Sequence, residues 1–242
     1  MLKRLFSIML AVVVISGMFT GCGSSSAKNN QTTKNDSAEK SSDINSSSNA
    51  VAEAVQNNTD NENILIAYFS VPENVDTDGI DANSGASIVV KNKDVLGNMQ
   101  YMAMTIQEAI GGELFRIETK EKYPLEHETL VNQAKEEQNE EVRPELATHI
   151  ENVEQYDMIF LGYPNWWGDM PQPLYTFLEE YDFSGKTIIP FNSHGGSGFS
   201  NTIEEIKKLQ SNATVRDDGL SISRNDVADS EQEITDWAKG LQ

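Results

Sequence analysis

Two segments of the chain gather residue types that serve a ligand better than a core. Tyr163-Pro164-Asn165-Trp166-Trp167-Gly168-Asp169 sets two adjacent indoles between a proline and a glycine. Asn192-Ser193-His194-Gly195-Gly196-Ser197-Gly198 sets an imidazole among glycines. A Gly-rich segment lets backbone N–H groups approach a ligand closely, and paired indoles offer a flat apolar wall. A third group is split along the chain: Ser70, and Gly97-Asn98-Met99 beyond the acidic segment from Val71 to Leu96. Gly97-Asn98 opens a helical pattern, and a helix N-terminus offers orphan N–H groups and a positive dipole end to a phosphate. Together these residues suit a planar, polar-edged cofactor that carries a phosphate. Adjacent side chains point different ways, so one of Trp166 and Trp167 is expected to stack on the ligand while the other packs. His194 is either an exposed loop histidine or a donor to the ligand.

The elements that must position these groups follow from the apolar pattern. Ile64–Phe69, Met158–Tyr163 and Thr187–Phe191 are near-continuous apolar runs, as expected for parallel strands covered on both faces. Glu113–Glu118 alternates and reads as a strand with one more polar face, and Gly219–Ile222 is a weaker candidate. Asn98 is expected to cap a helix with Met99, Met102, Ala103, Ile106 and Ile110 on one face, stopped by Gly111-Gly112. Further helical patterns run over Thr129–Glu141, Pro171–Glu180, Thr202–Leu209 and Ser230–Leu241. Strands alternating with helices give an α/β fold, in which ligands bind at the carboxyl ends of strands. Ser70, the Trp loop and the His194 loop each follow such a strand.

Read together, these stretches resemble the flavodoxin family. The similarity runs from about Ile64 to the C-terminus and rests on Ile66-Ala67-Tyr68-Phe69-Ser70, on Gly162 to Gly168 with Thr176-Phe177-Leu178 and Tyr181 to Thr187 behind it, and on Pro190-Phe191 leading to His194-Gly195-Gly196-Ser197-Gly198. The resemblance implies a three-layer sandwich with a five-stranded parallel sheet of order 2-1-3-4-5, and bound FMN. It implies cofactor contacts from Ser70, Gly97, Asn98 and Met99, from Pro164, Asn165, Trp166, Trp167 and Gly168, and from Ser193, His194, Gly195, Gly196 and Gly198, with His194 the candidate for chemistry. One departure stands out. The family usually holds the phosphate on a single Ser/Thr-x-x-Gly-Asn-Thr turn, whereas here an insertion separates Ser70 from Gly97 and Met99 replaces the threonine.

The ends of the chain address it outside the cytoplasm. Lys3-Arg4, an apolar run from Leu5 to Ile15 and small residues up to Gly21-Cys22 make a secretory signal over residues 1–21. Gly21-Cys22 resembles a lipobox, and Cys22, the only cysteine, is the expected lipidation site. Two acyl chains at one point suffice for stable anchoring where one is marginal. Residues 22–60 are a Ser/Asn-rich tether, with a span on the order of 35 Å from about 5–6 Å times the square root of residue number. Residues 61–242 form the folded domain.

A formal net charge of −20 argues against nucleic acid as a partner and favours a redox partner protein with a basic surface. Acidic surroundings disfavour the anionic reduced flavin, lower its potential and suit an electron carrier. Neither loop contains Arg or Lys, so an anionic dinucleotide would meet repulsion there. Two alternatives stay open: an FMN-dependent oxidoreductase that uses NAD(P)H to reduce quinones or nitro compounds, and a flavin-free binding module. Asp76–Asp81 lacks the glycine and glutamate of a calcium loop and reads as a solvated acidic loop. His127 and His149 carry no assignment.

Overall fold

A computed structural model describes residues 63–71, 87–91 and 94–242; the signal, Cys22, the tether and the Asp76–Asp81 loop lie outside them. The elements are β1 (Ile64–Tyr68), β2 (Ile88–Lys91), β3 (Asp94–Gly97), α1 (Asn98–Ile110), β4 (Glu113–Arg116), α2 (His127–Glu140), β5 (Met158–Pro164), α3 (Gln172–Glu180), β6 (Thr187–His194), α4 (Thr202–Leu209), β7 (Thr214–Val215), β8 (Leu220–Ser223) and α5 (Glu231–Lys239).

The central sheet is parallel, in the order β4-β1-β5-β6, with β7 and β8 both on the far edge of β6. The continuous apolar runs divide between two cores by strand alternation. Ile64, Ile66 and Tyr68 face one core with Phe160, Ile189 and Phe191, packed under α1 and α5. Leu65, Ala67 and Phe69 face the other with Ile159, Leu161 and Ile188, packed under α3 and α4. On the first face Gly162 lies opposite Phe191, and a Cβ at position 162 would stand 2.3 Å from that ring. The expected order 2-1-3-4-5 is therefore present, with one difference: the fifth strand comes in two pieces.

Pro190 explains the break. Ile188 accepts a hydrogen bond from the Arg216 N–H (2.9 Å), so that side of β6 faces the fifth strand. Two residues on, Pro190 faces the same way and has no N–H to give. The ladder stops, the chain from Arg216 to Gly219 leaves the edge, and pairing resumes at Phe191–Leu220. Gly219 is held so close to Pro190 that a Cβ would lie 2.4 Å from the proline carbonyl oxygen.

Several boundaries differ from those expected. β6 continues to His194 because Asn192 and Ser193 pair with both Tyr163-Pro164 and Ser221-Ile222, so these polar residues belong to the strand and not to the loop. β4 ends at Arg116. α2 begins at His127, two residues early, because the Glu126 carboxylate accepts the N–H groups of Glu128 (3.0 Å) and Thr129 (2.8 Å). The insertion closes with the antiparallel hairpin β2–β3, whose Val89 and Leu96 join the first core. β3 runs straight into α1, so the extended capping conformation falls on Gly97 (φ −67°, ψ 150°). Asn98 is consequently not the cap. It is the first helical residue, and its side-chain amide donates elsewhere, to the Arg224 carbonyl (3.2 Å).

Candidate functional site

The carboxyl ends of β1, β5, β6 and β8 form one connected rim. β5 delivers Pro164 and Asn165, and the chain then reverses sharply. Trp166 and Asp169 exchange both backbone hydrogen bonds (2.9 and 3.0 Å) around Trp167 (φ 55°) and Gly168 (φ 81°). Two successive positive φ values define a turn of the I′ kind, in which Asn-Gly is the usual pair. Trp at its first corner costs about 1–2 kcal/mol of backbone strain. The turn thereby carries the indole to its tip.

The two tryptophans part company there. Trp166 stands edge-on to Phe69 (5.6 Å between centroids) and Tyr123 (5.5 Å), fixed between β1 and the segment before α2. Trp167 is 54% exposed. Its Nε1 donates to the Val131 carbonyl (2.9 Å) and the Lys135 ammonium lies 5.5 Å from its ring centroid, so the indole is steadied against α2 while remaining open to solvent.

Side chains beneath the turn hold it. The Asp169 carboxylate accepts from the Tyr175 hydroxyl (2.9 and 3.0 Å) and from the Met170 N–H (2.7 Å). Burial, and then the neighbouring Asp169 charge, pushes the Tyr175 phenol well above its ordinary pKa, so it stays a donor. Burial likewise raises Tyr123, whose hydroxyl donates to Glu137 (2.6 Å).

Asn165 links the Trp loop to the His194 loop. Its N–H donates to the Ser193 carbonyl (2.8 Å), its amide to the Gly198 carbonyl (2.8 Å) and Ser200 Oγ (3.0 Å), and its Oδ1 accepts from the Gly168 N–H (3.1 Å). Buried Asn192 grips the same Gly198 carbonyl (3.0 Å) while accepting from Ser221 Oγ (2.6 Å). Gly198 sits at φ 58° and Gly196 at φ 121°, conformations that L side chains rarely adopt. The Gly196 N–H donates to His194 Nδ1 (2.8 Å). In the neutral ring the proton is therefore on Nε2, which is left as a donor. The same bond takes one glycine N–H away from any ligand.

The residues implied for the phosphate are placed differently from one another. Ser70 lies two residues beyond β1 and is 4% exposed. The Met99 side chain is buried in the first core, so only its backbone can serve a ligand. Asn98 joins the other end of the rim: it holds the Arg224 carbonyl, and the Arg224 N–H in turn donates to the His194 carbonyl (2.8 Å).

Two cations and the contacts of two other side chains escaped the sequence reading. Arg224 follows β8 directly, and its guanidinium carbon lies 3.7 Å from where a Gly195 Cβ would stand. Lys135 comes from α2. Neither loop contains a basic residue, as read from the sequence, yet other elements bring both cations to them, which offsets the repulsion expected for an anionic dinucleotide. Tyr123 was not singled out, and Asn192 was read within the His194 segment but given no contact of its own. A signal for Arg224 was present: the residue after a strand in such a sheet lies at its carboxyl end. A cavity of about 370 Å³ near Leu178, Tyr181 and Gln210 lies at the opposite end of the sheet. Its Glu179 and Glu180 already bond Arg143 and His149.

A parallel sheet of this order with its polar and aromatic groups on the carboxyl rim defines a doubly wound α/β protein, a class in which ligands bind at the switch of strand order. The family model for flavodoxin matches residues 87–241, and the chain belongs to the flavodoxin family. It is similar in structure to a candidate flavoprotein of Bacteroides eggerthii, at 26% identity over 75% of this chain and 98% of that one, with a TM-score of 0.55. A second candidate flavoprotein, of Bacteroides uniformis, gives 25% identity over 74% and 99%, with a TM-score of 0.54. A flavoprotein of Lactobacillus acidophilus in complex with FMN gives 19% identity over 73% and 99%, with a TM-score of 0.48. No curated protein matches the chain.

Proposed function

We propose that the chain binds FMN on this rim and passes electrons, tethered outside the bacterial membrane by lipid on Cys22. The observation that carries the reading is Trp167, a large indole held exposed at the tip of a strained turn whose Asn165 is hydrogen-bonded to the Gly198 carbonyl of the His194 loop. Exposed tryptophan in a strained conformation is what a stacking surface needs and what a core does not. The donor set fits the cofactor. Trp167 supplies a face for the ring, His194 Nε2 a donor for its polar edge, and Ser70 with the Met99 N–H at the start of α1 a seat for the phosphate; the Gly97 and Asn98 N–H groups donate instead to Gln100 Oε1 (3.4 Å) and the Ser87 carbonyl (2.7 Å). Bound FMN supplies the electron chemistry, while the protein orients it and sets its electrostatics.

Net charge suits a carrier that meets a basic partner protein. A second reading, an NAD(P)H-dependent reductase, is favoured by Arg224 and Lys135, which put positive charge beside the rim. Turnover decides between them. The FMN-loaded protein alone is expected to oxidise NADH and NADPH negligibly with a quinone present, and robust turnover without an added partner establishes the reductase instead.

The anchor has its own test. Cys22→Ser is expected to move the protein from the membrane fraction to the soluble one, since the tether has no amphipathic face to hold a bilayer. Unchanged fractionation of the Cys22→Ser protein contradicts lipidation there.

A further inference from the structure

Arg224 differs from the other arginines among the described residues. Arg116 pairs with Glu118 (3.1 Å), Arg143 with Glu179 (2.8 Å) and Arg216 with Asp218 (2.5 Å). Arg224 makes no ion pair among the described residues, although the chain carries a formal net charge of −20 and Asp226 lies two residues on. Its backbone, by contrast, is fixed at both polar groups: the N–H donates to the His194 carbonyl and the carbonyl accepts from the Asn98 amide. The side chain is thus launched from a rigid point between helix α1 and the His194 loop.

Its direction is informative. The carbonyl faces Asn98 at the start of α1, whereas the guanidinium lies against the Gly195 backbone, with Nε and Nη1 at 3.8 and 3.9 Å from an ideal Cβ there. A Cβ at position 195 would meet it at ordinary van der Waals distance. The cation accordingly belongs to the His194 loop and the ring end of the site, not to the α1 N-terminus where the phosphate is proposed to sit.

We infer that Arg224 is the residue that holds the negative charge of the reduced flavin, raising the potential of bound FMN against the acidic background; this rests on the FMN reading above. Fully reduced flavin is an anion near neutrality and oxidised flavin is neutral in its ring. A cation beside the ring therefore binds the reduced form more tightly and leaves the oxidised form almost unaffected. A full arginine–carboxylate pair would cancel that effect, which is consistent with Arg224 lacking one.

The test compares the full-length wild type, Arg224→Gln and Arg224→Lys by two measurements on each protein. Fluorescence titration gives the dissociation constant of oxidised FMN, and spectroelectrochemistry gives its midpoint potential when bound. Arg224→Gln is expected to bind oxidised FMN within about threefold of wild type and reduced FMN about tenfold more weakly. That tenfold corresponds to a potential about 30 mV more negative for a two-electron couple. Arg224→Lys keeps the charge and should keep most of the potential. An unchanged potential in Arg224→Gln overturns the inference. So does an equal loss of affinity for both forms, which would make Arg224 a phosphate ligand or a packing residue. If wild type binds no FMN, the FMN reading itself fails, a result separate from either of these.

Discussion

Trp166→Ala is expected to lower stability by about 3 kcal/mol, while Trp167→Ala leaves the fold nearly intact and weakens flavin binding. Trp166 is half-buried and braces Phe69 and Tyr123 through two edge-to-face contacts, each contributing about 0.5–1.5 kcal/mol beyond its buried area. Truncation also empties a site next to the buried Phe69, which places the cost at the lower end of the range for core aromatics, about 3–5 kcal/mol. Trp167 gives up less. One hydrogen bond to Val131 contributes about 1 kcal/mol and an exposed cation–π contact with Lys135 about 0.5–1. Its loss is expected to appear in the flavin: a higher dissociation constant and recovered fluorescence of the bound ring. Denaturant melts and FMN titrations of both variants check this. Equal effects at the two positions would contradict the division between packing and stacking.

FMN is expected to bind more tightly than riboflavin by several kcal/mol. The phosphate is the only difference between the two ligands, and each charge-assisted hydrogen bond to it contributes about 1.5–3 kcal/mol. The Met99 N–H in the first turn of α1 is the donor that the fold offers, aided by the helix dipole, because the Asn98 N–H already donates to the Ser87 carbonyl (2.7 Å) and the Met99 side chain is buried. Titration of the purified protein with both ligands measures the difference. Equal affinities would mean that no phosphate is read at α1.

Much of this arrangement was legible in the sequence because burial leaves a strong signature. Continuous apolar runs marked the buried strands, the flavodoxin resemblance implied their order, and the Trp and His194 loops follow from their glycines and prolines. What the sequence hid was decided by contacts between distant segments. That Trp166 and not Trp167 packs depends on Phe69 and Tyr123 converging on one indole. The break in the fifth strand depends on which way Pro190 faces, and so on the pairing of Ile188 with Arg216. The capping role moved from Asn98 to Gly97 because the hairpin β2–β3 ends without a loop. Arg224 was overlooked for a related reason: its strand is short and weakly apolar, and its importance comes only from lying beside Gly195.

The most direct measurement is the visible absorption of the purified full-length protein after incubation with excess FMN and removal of free ligand by gel filtration. Binding on the carboxyl rim predicts about one flavin per chain, with quenched fluorescence from the stacked ring. A protein that emerges colourless, folded by circular dichroism and with no flavin retained would contradict the account and leave the rim as a flavin-free binding surface.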